Sequence, residues 1–238
     1  MSLQTLTAQN SVLTLGFLIC ASSSYGEAAS NPYTPASFGE GRAEFIGKLR
    51  FPDSEDGRAV LVKCGSMAHL TGEMLGTICY SNGDFAIENR MRKLIIRAAE
   101  TARISPAIID GEKQSVWFNF SVIYEQNGAA KSIEILENDL YDIESLGPHY
   151  TGAQRSTRYE LHCFNPLAQL PITVIADISA QGELSNLQIS RTPVENPCIS
   201  KAEELMGKSV FIPAFVDGEP VPSTYNEVFH HYRYSPLH

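Results

Sequence analysis

The sequence predicts an α+β fold of two tandem units, each an antiparallel three- to four-stranded sheet with a helix packed on one face. Three observations lead there. The segment SPAIIDGE at residues 105–112 returns as IPAFVDGE at residues 212–219, and close self-similarity of this kind marks a repeated structural unit. A stretch with apolar residues at helical spacing precedes each copy. An aromatic-rich run of extended character follows each, and a pair of apolar runs joined at a Gly turn lies ahead of each helix.

A chain of 238 residues accommodates one large domain or two small ones, and the repeat favours two. Hydrophobic residues at 43% and charged residues at 19% match an ordinary globular protein. The net charge of −9 excludes a nucleic-acid partner as the first reading, because phosphate backbones select Lys- and Arg-rich surfaces.

The first 26 residues carry no charged side chain. Residues 12–21 form a short apolar run, followed by Ser22, Ser23, Ser24, Tyr25 and Gly26. This reads as a secretory h-region with a small-residue cleavage zone after Ser23 or Gly26. The run is too short for a spanning anchor, which needs about 20 apolar residues. Phe17, Leu18 and Ile19 ahead of Cys20 lack the small residues of a lipoprotein signal. Export places the chain in an oxidising compartment, where Cys64, Cys79, Cys163 and Cys198 are expected as disulfides. Residues 27–50 read as an irregular lead-in, with a short strand at residues 45–51.

The first unit, residues 51–137, opens with strands at residues 59–67 and 73–80 around Thr71-Gly72. The second, residues 169–238, opens with strands at residues 172–179 and 184–190 around Gln181-Gly182. Aligning the two turns sets Cys64 opposite Cys79 and Val174 opposite Ile189. Directly opposed residues in antiparallel strands lie close enough for a disulfide, so Cys64–Cys79 is the expected pair. Cys163 and Cys198 are then paired by elimination.

In the first helix Ile87, Met91, Leu94, Ile95, Ala98 and Ala102 share one face. Arg90, Lys93 and Arg97 line the other, which reads first as a solvated face. The second helix has Ile199, Ala202, Leu205 and Met206 as its stripe. Asn196 is its expected N-cap, with Pro197 at the first helical position. Pro106 and Pro213 bar a helix, and Asp-Gly then turns each chain into a strand. In the first unit Phe118, Phe120, Val122 and Tyr124 alternate with Trp117, Asn119, Ser121 and Ile123. Asn127-Gly128 signals a hairpin to residues 131–137, setting Ile133 and Ile135 opposite Val122 and Phe120. Residues 138–168 form a connection of little periodicity, with a short strand at residues 159–164. The last run, residues 223–234, puts Tyr225 and Phe229 on one face and Val228 and Tyr232 on the other.

No catalytic constellation is found, so the chain reads as a binding protein and not an enzyme. A Gly-x-Ser-x-Gly elbow is absent. The Gly-Lys-Ser at residues 207–209 lacks the first Gly of a phosphate loop and closes a helix instead of opening one. His230 and His231, adjacent on a strand, point to opposite faces and cannot share a metal. The cysteines lack zinc spacing. No cofactor or metal is expected.

Pro-Ala, two apolar residues and Asp-Gly before a last strand resemble the C-terminal domain of TonB, the periplasmic energy transducer of Gram-negative bacteria. The resemblance covers about residues 51–124 and 172–232. It implies a small antiparallel sheet under one helix, a periplasmic location, and a last strand whose edge accepts a peptide strand from an outer-membrane receptor. A fourth strand in the first unit departs from the pattern. Neither a spanning anchor nor a Pro-rich spacer is visible, so the binding module is what carries over. The candidate edge is Tyr225, Asn226, Glu227, Val228, Phe229 and His230. Two readings of it stand: an open edge that binds a protein or peptide, or an edge hidden against the first unit. The second belongs to an envelope assembly protein whose units pair with each other or self-associate.

Overall fold

The computed structural model describes residues 31–51, 59–80, 86–157, 171–190 and 198–229. In chain order these form β1 (Tyr33–Thr34), α1 (Arg42–Lys48), β2 (Val60–Ala68), β3 (Met74–Tyr80) and α2 (Ala86–Ala99). Next come β4 (Ala107–Ile109), β5 (Glu112–Gln114), β6 (Val116–Asn127) and β7 (Ala130–Leu136). A short α3 (Ile143–Leu146) and β8 (Gln154–Ser156) lead to β9 (Ile172–Ile178), β10 (Leu184–Ile189) and α4 (Cys198–Lys208). The last described elements are β11 (Phe211–Ile212), β12 (Ala214–Val216), β13 (Glu219–Val221) and β14 (Ser223–Phe229). The fold is α+β, mostly antiparallel sheets with a few short helices.

The larger sheet runs β11-β8-β6-β2-β3, with β7 also paired to β6. A second sheet runs β10-β9-β14. In both, the earliest long strand lies between its hairpin partner and the long strand that comes after the short Asp-Gly hairpin, β6 or β14. Those turns have matching backbones. Asp110 and Gly111 sit at φ 52 and 80, Asp217 and Gly218 at φ 51 and 86, so each links its flanking strands as a two-residue hairpin. The first hairpins close alike as well: Gly72 donates its N–H to the His69 carbonyl, and Gly182 donates to that of Ser179.

Cys64 and Cys79 face each other across β2 and β3 and are disulfide-bonded. With 15 residues of separation the bond stabilises the fold by about 3 kcal/mol. Val174 faces Ile189, as the turn alignment requires. Cys198 is also disulfide-bonded; Cys163 lies outside the described residues, as do the strand expected at residues 159–164, the N-cap Asn196, Pro197 and the N-terminal 30 residues.

Two hydrophobic clusters hold the molecule. In the first, Met91, Ile95, Ala98 and Ala99 of α2 cover Val62, Cys64, Phe118, Phe120, Val122 and Tyr124. Arg90, Lys93 and Arg97 are on the exposed side. In the second, Ala202 and Met206 of α4 cover Ile172, Val174, Ile178 and Tyr225. The first cluster also receives Ile212 and Phe215 from the C-terminal part of the chain.

Two expectations need correction. In place of the strand at residues 45–51, helix α1 runs through Lys48 and the chain leaves it extended at Leu49. Phe45 and Leu49 are both buried, four apart, which is helical spacing, and Glu44 pairs with Lys48 at 2.7 Å along the same helix. Phe38 and Phe45 enter the core, packing on each other as tilted rings with centroids 4.8 Å apart and reaching Phe120 at 5.3 and 6.1 Å. Full burial of such a ring stabilises by roughly 2–3 kcal/mol. The β6–β7 register is shifted by two residues. Ile135 faces Val122 and Ile133 faces Tyr124, because the turn centres on Gly128 and Ala129, with Asn127 already paired to Ala130.

Candidate functional site at the edge of the last strand

β14 pairs with β9 along its whole length, from Ser223 opposite Ile178 to Phe229 opposite Ile172. Alternation places Tyr225, Glu227 and Phe229 on the face that packs under α4, where Tyr225 is 1% and Glu227 4% exposed. Thr224, Asn226 and Val228 lie half-buried on the other face. His230 falls outside the described residues.

The backbone alternates too. In an antiparallel pair, successive residues turn their N–H and C=O groups inward and outward by turns. Thr224 donates its N–H to Asp142 Oδ2 at 2.7 Å, and Asn226 accepts at its C=O from Asn119 Nδ2 at 2.6 Å. The outward groups are therefore those of Thr224, Asn226 and Val228, and Glu227 turns its N–H toward β9. No strand lies on the outer side of β14 among the described residues. Two side chains cover it instead: Asp142, just before α3, whose Oδ1 also accepts from the Thr224 hydroxyl at 3.0 Å, and Asn119 from the middle of β6.

Glu227 is committed to the interior. Arg155 of β8 donates Nε to its Oε2 at 2.7 Å and Nη2 to its Oε1 at 2.8 Å, and the Tyr225 hydroxyl donates to Oε2. Both ion-pair side chains are about 95% buried, and the guanidinium lies 5.6 Å over the Phe229 ring. Burial alone disfavours the charged form of Arg155, but the Glu227 carboxylate outweighs it and raises the pKa. Burial and the same carboxylate raise that of the Tyr225 phenol. A bidentate, buried pair of this kind fixes position. It ties β14 to β8, and through β8 to β6.

The residues expected at the edge thus divide. Asn226 and Val228 present backbone outward, as does Thr224, which was not among them; Tyr225, Glu227 and Phe229 turn their backbone groups toward β9 and their side chains to the α4 face. Asn119, Asp142 and Arg155 belong to the site and were not singled out from the sequence. Asn119 carried a faint signal, a polar amide within the mostly apolar first half of β6. Asp142 and Arg155 lie in a connection without periodicity, where nothing marks one residue above another.

No group of three or more His, Cys, Asp or Glu residues able to hold a metal occurs among the described residues. No described helix is long and apolar enough to cross a membrane. Comparison with protein-family models, with curated proteins and with solved structures finds no match.

Proposed function

We propose that the chain is a periplasmic binding module made of two tandem units of the TonB C-terminal type. It takes an extended segment of a partner, such as an outer-membrane transport protein, onto the outer edge of β14 by strand addition. One contrast carries this reading. The outer side of β6 is paired with the chain's own β7 and β8 over most of its length, whereas among the described residues the matching side of β14 meets no strand and is capped by the Asp142 and Asn119 side chains. The common strand orders β3-β2-β6 and β10-β9-β14 support the tandem arrangement, and the Cys64–Cys79 bond supports an exported, oxidising location. The site has no cofactor in this account and performs no chemistry.

A second reading is favoured by the Arg155–Glu227 pair and the two side-chain caps. They join β14 to elements of the larger sheet, as an assembly protein with internally paired units requires.

The two readings separate in one binding series with an eight-residue Thr/Val peptide. Val228→Pro removes an outward N–H and should leave the fold intact, because proline is tolerated where the N–H faces away from the ladder. It should weaken binding by tenfold or more. Asp142→Ala removes the competing cap and should tighten binding about fivefold, the equivalent of about 1 kcal/mol for the lost hydrogen bonds. If both folded variants bind like the parent, the edge is not the site.

A further inference from the structure

We propose that the loop of residues 139–146 selects what adds to β14, favouring an extended segment that carries a basic residue beside a large apolar one. This rests on β14 being the receiving edge.

An added strand must place a carbonyl at the Thr224 N–H, which Asp142 now occupies. The carboxylate has to give up the Thr224 N–H and then stands at the rim of the site, keeping at most its contact with the Thr224 hydroxyl. Exposed Glu144 lies two residues on. Residues 139–146 contain Asp139, Asp142 and Glu144 and no Lys or Arg; Lys63 from β2 acts on the buried Asp139, and the loop itself holds no cation to neutralise the displaced group. A Lys or Arg on the incoming segment does so, and rim charges of opposite sign steer and align a partner.

The apolar half comes from the residues on either side of Asp142. Tyr141 is 48% and Ile143 40% exposed, two of the few large hydrophobic side chains left in water among the described residues. A lone exposed apolar residue means little. Here two flank Asp142, one of the two side chains that cap the strand edge, where large anchors contribute most to an interface. The Asp142–Thr224 contact also keeps the edge covered until a segment with the right side chains arrives, which limits indiscriminate strand pairing.

The test uses the full chain and three labelled eight-residue peptides followed by fluorescence anisotropy. The first alternates Thr and Val around one Lys and one Trp; the second has Glu for the Lys; the third has Ala for the Trp. The parent protein should bind the first about tenfold tighter than the second, and Asp142→Ala should cut that preference to under twofold. The Trp-to-Ala change should weaken binding about fivefold on the parent and not at all on a Tyr141→Ala, Ile143→Ala double variant, whose folding is checked by circular dichroism. Equal binding of the three peptides, with Val228→Pro still abolishing it, overturns the selectivity and leaves the edge reading standing. If the folded parent binds none of them, the edge reading itself fails.

Discussion

Asp139 shows how one side chain can oppose the fold it sits in. It is 8% exposed, with Oδ1 accepting the Tyr141 N–H at 3.1 Å. Burial raises its carboxyl pKa, while the Tyr141 N–H, Lys63 and Asn226 only partly offset that. A carboxyl whose folded pKa lies above its unfolded value holds its proton more tightly in the native state. Its contribution to stability is present at low pH and is lost as pH rises through the folded pKa. Asn keeps the acceptor for Tyr141 and carries no charge. Asp139→Asn should therefore raise the melting temperature at pH 7.5 by more than at pH 4, because the cost of the buried charge grows as pH rises through the raised folded pKa. An equal change at the two pH values would show that burial of the charge is not what Asp139 contributes.

Among the elements, the repeated turns are where residue identity and backbone agree most closely. Gly182 sits at φ +79, and a Cβ built there lies 2.4 Å from the Phe211 carbonyl oxygen. Gly72 sits at φ +87 with its Cβ position 2.7 Å from the Ile104 carbonyl oxygen. Phe211 and Ile104 each stand two residues before the proline of a repeated segment, so both turns press on the same point of the repeat. Gly182→Ala should cost about 2 kcal/mol or more, combining backbone strain with a backbone clash. Gly207→Ala, in α4 with nothing within 4 Å, should instead stabilise by about 0.5–1 kcal/mol. Urea unfolding of the two variants checks the pair, and similar effects of the same sign would contradict the account. These elements were legible in the sequence because turn chemistry and periodicity are local. The opposition of Cys64 to Cys79 followed from the position of Gly72. The β6–β7 register did not follow, because an Asn-Gly pair can seat either residue first, and here Gly128 takes the first turn position.

At the scale of the molecule, contacts between distant segments decide what is exposed, and these were the least legible. Phe38 gives no local sign that it will meet Phe118 and Phe120, and its segment read as irregular. Arg155 lies 72 residues from Glu227, and neither carries a mark that they will close on each other. The outer edge of β14 was legible as a last strand, but its covering by Asp142 and Asn119 depends on how the larger sheet packs beside it. The most direct measurement is residue-resolved amide hydrogen exchange along β14, with and without the Thr/Val peptide. Tyr225 and Glu227, already bonded to β9, should exchange slowly in both states. Asn226 and Val228, whose N–H groups face outward, should exchange faster in the free protein and become protected by tenfold or more when the peptide is bound. Exchange at Asn226 and Val228 that does not change while the peptide is bound would contradict strand addition at this edge.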